Sequence, residues 1–378
     1  MSGILAGGRI VLRDRVVDGW LRIDDRFIAA VGEGEPPSGH PVTTDAGGRL
    51  VVPGFVDVHC HGGGGAAIYT GDLDDVRTVA RAHLAAGTTA MFGSIATTTA
   101  EVMIRAARAI AEAASDGTAP NLVGVHVEGP FLSPARRGAQ TESALRLPDR
   151  RLMSELIDAV GELPLTMTIA PELPGALALI EEFSPRCVFA IGHTAATFAE
   201  ATAAVDRGAR SVTHTFNGMS PFGHREPGAA GVALTDTRVS MELIADGHHV
   251  HDAVARVAIA AAGPDRVVLV TDASAAAGLG DGDYAFVDRR VTVAGGRVTL
   301  TGTETLAGSA IRLVDAYRHV RSLGADETAA SAMASANAAR LVGLTDRGTI
   351  RPGTRADLVL LEDDLSVHSV LLAGALVS

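Results

Sequence analysis

The rhythm of apolar and polar positions first changes along this chain near Val51. Before it, short apolar runs (Ile4 to Ala6, Arg9 to Leu12, Trp20 to Ile23, Phe27 to Val31) are cut by Gly7-Gly8, Asp18-Gly19 and Gly32-Glu33-Gly34. Glycine pairs and Asp-Gly steps are turn signals, so residues 1–50 predict a small β unit. From Val51 onward strand-like runs alternate with Ala-rich helical stretches. The runs are the one at Val51, then Thr88 to Ile95, Val123 to Glu128, Leu165 to Pro171, Cys187 to Gly192, Ser211 to His214, Val239 to Asp246 and Val267 to Asp272. Between most of them lie stretches such as Val76 to Ala86, Glu101 to Ala114, Arg151 to Val160 and Phe198 to Arg207. Eight strands alternating with helices predict an α/β fold, a parallel (β/α)8 barrel. A doubly wound sheet is the runner-up, but Gly62 to Gly65 followed by Ala-Ala-Ile lacks the G-x-G-x-x-G turn such a sheet usually carries.

Further on, Gly278 to Gly302 interrupts the alternation and reads as a hairpin insertion, and helices follow over about Ala310 to Ser322 and Asp326 to Ala336. Residues from Gly348 to Val377 return to short strands and turns. They are expected to pair with the first fifty residues, giving a small β domain built from both termini (residues 1–52 and 346–378) around a barrel of residues 53–345.

Composition narrows the classes. In 378 residues the hydrophobic fraction is 47%, with 4% aromatic, which supports a large core and argues against disorder. The net charge is −12 and no basic run tracks a phosphate backbone, so nucleic acid is not an expected partner. Cys60 and Cys187 cannot build a disulfide framework, and Arg9, Arg13 and Arg15 break up any secretory apolar region. No apolar stretch reaches the ~20 residues of a membrane span. A cytoplasmic protein without membrane contact is expected.

The stretch Val51 to Gly65 then supplies candidate chemistry. Side chains alternate along a strand, so His59 and His61 face one way and Cys60 the other, and the pair can share one ion. Two strand histidines beside a flexible loop are equally consistent with packing. The other strand ends decide between these: Glu128, His193, His214 and Asp272 each end or follow a candidate strand. Working residues of a (β/α) barrel sit at that end of the strands, and six metal-competent side chains gathered there point to a metal site.

Eight motifs run through the chain in order: Pro53-Gly-Phe-Val-Asp-Val-His-Cys-His-Gly, Val127-Glu-Gly-Pro-Phe-Leu-Ser-Pro, Gly192-His-Thr, Thr213-His-Thr-Phe-Asn-Gly-Met, Arg225-Glu-Pro-Gly, Ile244-Ala-Asp-Gly-His-His-Val, Val270-Thr-Asp-Ala and Thr305-Leu-Ala-Gly-Ser. On these the chain resembles the N-acetylglucosamine-6-phosphate deacetylases of the amidohydrolase superfamily. The resemblance implies hydrolysis of the acetyl group from N-acetyl-D-glucosamine 6-phosphate. It also implies one divalent metal on Glu128, His193 and His214 and a second on His59, His61, Glu128 and Asp272, one or two per subunit. Zinc leads among the metals, with iron, cobalt and manganese as alternatives, since imidazole and carboxylate ligands suit all four.

Asp272 is implied as general base turned general acid, and His249 as the group that binds the acetyl oxygen. Arg225 matches the family arginine that holds the phosphate across a dimer interface, so a homodimer is expected; the alternative for Arg225 is a surface ion pair with Glu226. Asn217 and Gly218 match positions that contact phosphate or sugar, with Gly218 replacing the commoner Ala. Gln140 stands where the family usually has a histidine on a substrate hydroxyl, which puts the choice among amino sugar 6-phosphates, the galactosamine form included, in doubt. His248 and His251 read as peripheral. A cyclic amide hydrolase or adenine deaminase of the same superfamily is the competing enzyme reading, weakened because neither Val123 to Glu128 nor Leu165 to Pro171 carries a bridging lysine. A non-catalytic scaffold would be expected to lose ligands, and none is lost.

Overall fold

In the computed structural model, which describes residues 3–377, the alternation from Val51 onward wraps into a parallel barrel. Its strands are β1 (Phe55–Cys60), β2 (Thr88–Ile95), β3 (Leu122–Glu128), β4 (Leu165–Ile169), β5 (Val188–Ile191), β6 (Ser211–Val212), β7 (Ser240–Leu243) and β8 (Val267–Leu269). Each pairs in parallel with the next. Closure happens at the C-terminal ends, where Asp272 N–H donates to His59 O at 2.8 Å and His61 N–H to Ala273 O at 2.9 Å. The first and last ligand-bearing segments are thereby tied to each other by backbone.

Helices cover the barrel because small residues let them lie close. The helix Leu73–Ala85, capped by Asp72, buries Val76, Val79 and Ala80. The next, Ala100–Ser115, buries Met103, Ala106, Ala107, Ile110 and Ala113 on one stripe. The strands are covered on both faces, and every residue of β1, β2 and β4 is buried. A fully buried Leu, Ile or Phe such as Phe55, Phe92 or Ile191 contributes roughly 1.5–3 kcal/mol.

The second eight-stranded sheet takes strands from both ends of the chain. Leu50–Pro53 lies beside Gly3–Val11 in parallel and beside Leu358–Leu361 antiparallel. Leu5, Ile10, Leu21, Val51, Leu358 and Leu360 form the core of this β domain. The side chains of Arg49 and Glu362, just outside the paired strands Leu50–Pro53 and Leu358–Leu361, meet at 2.9 Å.

Four expectations change. Neither Gly7-Gly8 nor Asp18-Gly19 is a turn: Gly3–Val11 and Val16–Asp24 are each one strand, with Gly7 at φ 70° forming a bulge between Ala6 and Gly8. The strand expected over Ser211 to His214 stops at Val212, because His214 takes a left-handed φ of 25° that no strand continues. The insertion is a three-stranded antiparallel sheet (Gly282–Phe286, Arg289–Ala294, Arg297–Leu300) rather than a hairpin. The helix expected to end near Ala336 widens into a π turn over Ala332–Ala336 and runs on as Asn337–Leu341. Among the described residues no helix is long and apolar enough to cross a membrane.

Candidate metal centre

The strand ends bring four imidazoles onto one carboxylate. Glu128 ends β3; its Oε1 lies 3.0 Å from His193 Nε2, 3.1 Å from His214 Nε2 and 3.6 Å from His59 Nε2. Its Oε2 lies 3.1 Å from His61 Nε2. Asp272 Oδ1 faces the other side of the β1 pair, 3.3 Å from His59 Nε2 and 3.4 Å from His61 Nε2. These atoms fall into two groups, His59/His61/Glu128/Asp272 and Glu128/His193/His214, each within 4.8 Å internally and each buried. Cys60 points the other way, its Sγ 3.3 Å from His83 Nε2 behind the strand.

The residues fit a metal. His59 Nε2 meets His61 Nε2 at 3.1 Å, and His193 Nε2 meets His214 Nε2 at 3.2 Å. Ring nitrogens this close must share a proton or a cation, and neutral imidazole with carboxylate is a transition-metal donor set. The electrostatics agree. Burial alone would raise the Glu128 carboxyl, but His59, His193 and His214 hold it ionised, well below the ordinary range. Burial works to lower His59, yet Asp272, Glu128 and Glu242 outweigh it and lift the imidazole to about 9. His214 reaches about 9 in the same way, against burial, through Glu128, Asp272 and Glu242. This site attracts positive charge.

Residues that the sequence reading passed over support it from below. His126, two positions before Glu128 on β3, is buried against the His59 ring with centroids 4.2 Å apart. Burial and the His59 charge hold it neutral, its pKa well below normal. Its Nδ1 meets Ser94 Oγ at 2.9 Å and its Nε2 meets Thr168 Oγ1 at 3.0 Å. Asp57, raised to about 6 by burial, accepts from Thr271 Oγ1 at 2.6 Å. Glu242 on β7 lies between His59 and Ser211. The signal for His126 was legible: His-x-Glu has the same alternation as His-x-His.

A cavity of about 330 Å³ opens above the cluster, lined by His61, Glu128, His193, His214 and Asp272 and by Gln140, Asn217, Gly218 and His249. The insertion contributes Phe286, and Glu304 to Leu306 complete that wall. His249 Nδ1 lies 2.7 Å from Asp246 Oδ2, which leaves Nε2 as the free ring nitrogen. Burial alone would raise Asp246, but His249 and the His249 and His248 N–H groups keep its carboxyl below the ordinary value. Gly218 takes φ 59°, and a Cβ there would sit 2.9 Å from His193 Nδ1, so the departure from Ala relieves a close approach.

Gln140 lines the cavity, but its carboxamide is turned onto the protein: Oε1 accepts from Thr97 N–H at 2.9 Å, and Nε2 donates to Glu128 Oε2. Arg225 is not brought to the cavity. It is exposed, and among the described residues it makes no ion pair. The expected alternative partner, Glu226, instead accepts from the backbone N–H of Phe198 at 2.7 Å and of Gly228 at 3.0 Å. His248 is exposed, and His251 caps the helix Asp252–Ala262.

Residues 50–377 match the model of the Amidohydrolase family. The chain is 34% identical over 374 residues to the N-acetylglucosamine-6-phosphate deacetylase of Bacillus subtilis (strain 168), covering 97% of this chain and 94% of that one. It is also 34% identical over 384 residues to the N-acetylgalactosamine-6-phosphate deacetylase of Escherichia coli O157:H7, covering all of both. Among solved structures it is similar to an aspartate-to-alanine mutant of N-acetyl-D-glucosamine-6-phosphate deacetylase from Mycobacterium smegmatis in complex with N-acetyl-D-glucosamine-6-phosphate. The TM-score is 0.93 at 37% identity, with 99% of each chain covered.

Proposed function

The chain belongs to the amidohydrolase family, and from that premise we propose that it hydrolyses the acetyl group of N-acetyl-D-glucosamine 6-phosphate to glucosamine 6-phosphate and acetate. The observation that carries the reading is Glu128, ringed by His59, His61, His193 and His214 and opposed by Asp272, at the floor of a sugar-sized cavity. Glu128, His193 and His214 would hold one divalent ion and His59, His61 and Asp272, with Glu128 shared, a second; zinc leads, with iron, cobalt or manganese as alternatives. A bound ion supplies the Lewis acidity that polarises the acetyl carbonyl and makes water nucleophilic near neutral pH.

The chain's own side chains do the rest. Asp272 takes the proton of the attacking water on a carboxylate oxygen and delivers it to the departing amine nitrogen. His249, its Nδ1 edge held by Asp246, turns Nε2 to the acetyl oxygen. Gln140 keeps Glu128 oriented, and Asn217 and Gly218 line the sugar side. Among the described residues lining the cavity none is Arg or Lys, so the phosphate anchor comes from elsewhere. Exposed, unpaired Arg225 of a second copy of this chain fits that role, which makes the working unit a homodimer. A phosphorylated, charged sugar as substrate supports a cytoplasmic place of action.

The galactosamine 6-phosphate derivative is a second reading, favoured by the equal identity to a deacetylase of that epimer. Acetate release from N-acetylated glucosamine, galactosamine and mannosamine 6-phosphates decides between them, with turnover expected on the first. Arg225→Ala should raise KM for the phosphorylated sugar and leave the unphosphorylated one unchanged. No acetate from any of the three sinks the reading, and equal effects of Arg225→Ala on both substrates would make that residue structural.

A further inference from the structure

Two buried acids close to His59 belong to neither full ligand set in the cavity floor, and they differ in what they have left to give. Asp57 is spent: Oδ2 accepts from Thr271 Oγ1 at 2.6 Å and Oδ1 faces the N–H of His59 at 3.2 Å. Glu242 is anchored on one side only. Its Oε1 accepts from Ser211 Oγ at 3.1 Å, while Oε2 faces His59 Nδ1 at 3.5 Å and the His214 N–H at 3.4 Å. His59 Nδ1 is buried and has no partner at hydrogen-bond geometry; Glu242 Oε2 is the acceptor facing it.

A ring that presents its Nε2 lone pair to a cation must carry its proton on Nδ1, and a buried N–H needs an acceptor behind it. For His193 in the other ligand set that acceptor is a backbone carbonyl, Arg136 O at 2.9 Å, while His214 Nδ1 and His61 Nδ1 have none. On the β1 side it is a carboxylate, which adds charge as well as direction. We propose that Glu242 is a positioning residue for the β1 half of the site: it holds His59 in the Nδ1–H form with Nε2 toward the cation, and so governs occupancy of the His59/His61 half rather than the His193/His214 half.

The proposal rests on the binuclear reading above, and the experiment separates the two. Metal-stripped protein is titrated with Zn²⁺ by calorimetry, and metal content is counted after dialysis. Wild type should take up two ions. Glu242→Gln, which keeps the shape and removes the charge, should bind one ion as wild type does and the other about 10- to 100-fold more weakly. In a His59→Ala background the same change should have no further effect, because the ring through which Glu242 acts is gone. If wild type binds fewer than two ions, the binuclear reading and this proposal fall together. If wild type binds two and Glu242→Gln binds both unchanged, or weakens both equally, or weakens binding in the His59→Ala background as well, the proposal alone falls. Should Glu242→Gln fail to fold, Ser211→Ala removes the hydroxyl that anchors Oε1 and is judged by the same outcomes, with a smaller expected loss confined to one ion.

Discussion

His59, past a register shift between Asp57 and Cys60, and His61, just after the last residue of β1, reach the candidate metal centre without a positive φ, whereas His193, His214 and Asp272 take the left-handed region, at φ 45°, 25° and 46°. That conformation is sparsely populated for residues with a Cβ and costs on the order of 1–3 kcal/mol each, so it persists only where the surroundings impose it. Here the barrel imposes it: Asp272 is tied by backbone to His59, and His193 is braced through Nδ1 by Arg136 O. One half of the site is thus given by local geometry and the other by the closed fold. The end of β1 needs no positive φ to present its histidines, while the bent ends are held by the same contacts that make the site.

The sharpest way to break this contrast is to remove one ligand from each half. His193→Ala should abolish measurable turnover and release the ion of the Glu128/His193/His214 group. His59→Ala with His61→Ala should release one ion and leave the other in place. Metal counting and kcat/KM on the same samples check both, and a double variant that keeps two ions would mean that the β1 histidines are not ligands.

Asp272 joins the halves, being bent at the backbone like His193 yet facing His59 and His61 with its carboxylate. Asp272→Asn preserves the shape and removes the proton carrier, so kcat should fall at least ~10²-fold with an unchanged thermal midpoint. Near-normal turnover would remove Asp272 from the chemistry.

The smallest effect is on stability and needs no mutation. In metal-stripped protein His59 and His214 are raised from 6.5 to about 9 by the surrounding carboxylates. A raised folded-state pKa contributes stability that is complete below the unfolded value and lost as pH climbs through the folded one. The thermal midpoint of stripped protein should therefore decline between about pH 6.5 and 9, while loaded protein, whose ligands are already deprotonated, shows a flatter profile. Parallel declines with and without metal would sever the link between these histidines and the ion.

The same contrast explains what the sequence could reveal. His-x-His announced itself through period-two alternation, and the eight-strand rhythm gave the barrel. His193, His214 and Asp272 were found by their place at the ends of candidate strands and then in the motifs, not by alternation, since β5 is four residues long, β6 two and β8 three. Glu242 escaped because a lone acid in Ser-Met-Glu-Leu has no partner within its own strand; its contacts, Ser211 and His59, lie on β6 and β1. The commitment of Gln140 to Glu128 and Thr97 was illegible for the same reason, as three separate loops and strand ends meet there. Gly7 misled because a bulge and a turn both call for a glycine at positive φ.

The β domain drawn from both ends of the chain has a consequence for how the protein is made. Arg49 and Glu362, which link two neighbouring strands at its middle, are 313 positions apart, and Leu50–Pro53 has a strand on one side that leaves the ribosome before it and on the other a strand that emerges almost last. The barrel can assemble from neighbouring strands as they appear, but this sheet must wait with one flank open through nearly the whole of translation. The nascent chain thus carries an unpaired strand edge beside the entry to β1 until the final residues arrive, and this edge is where a holding chaperone would be needed.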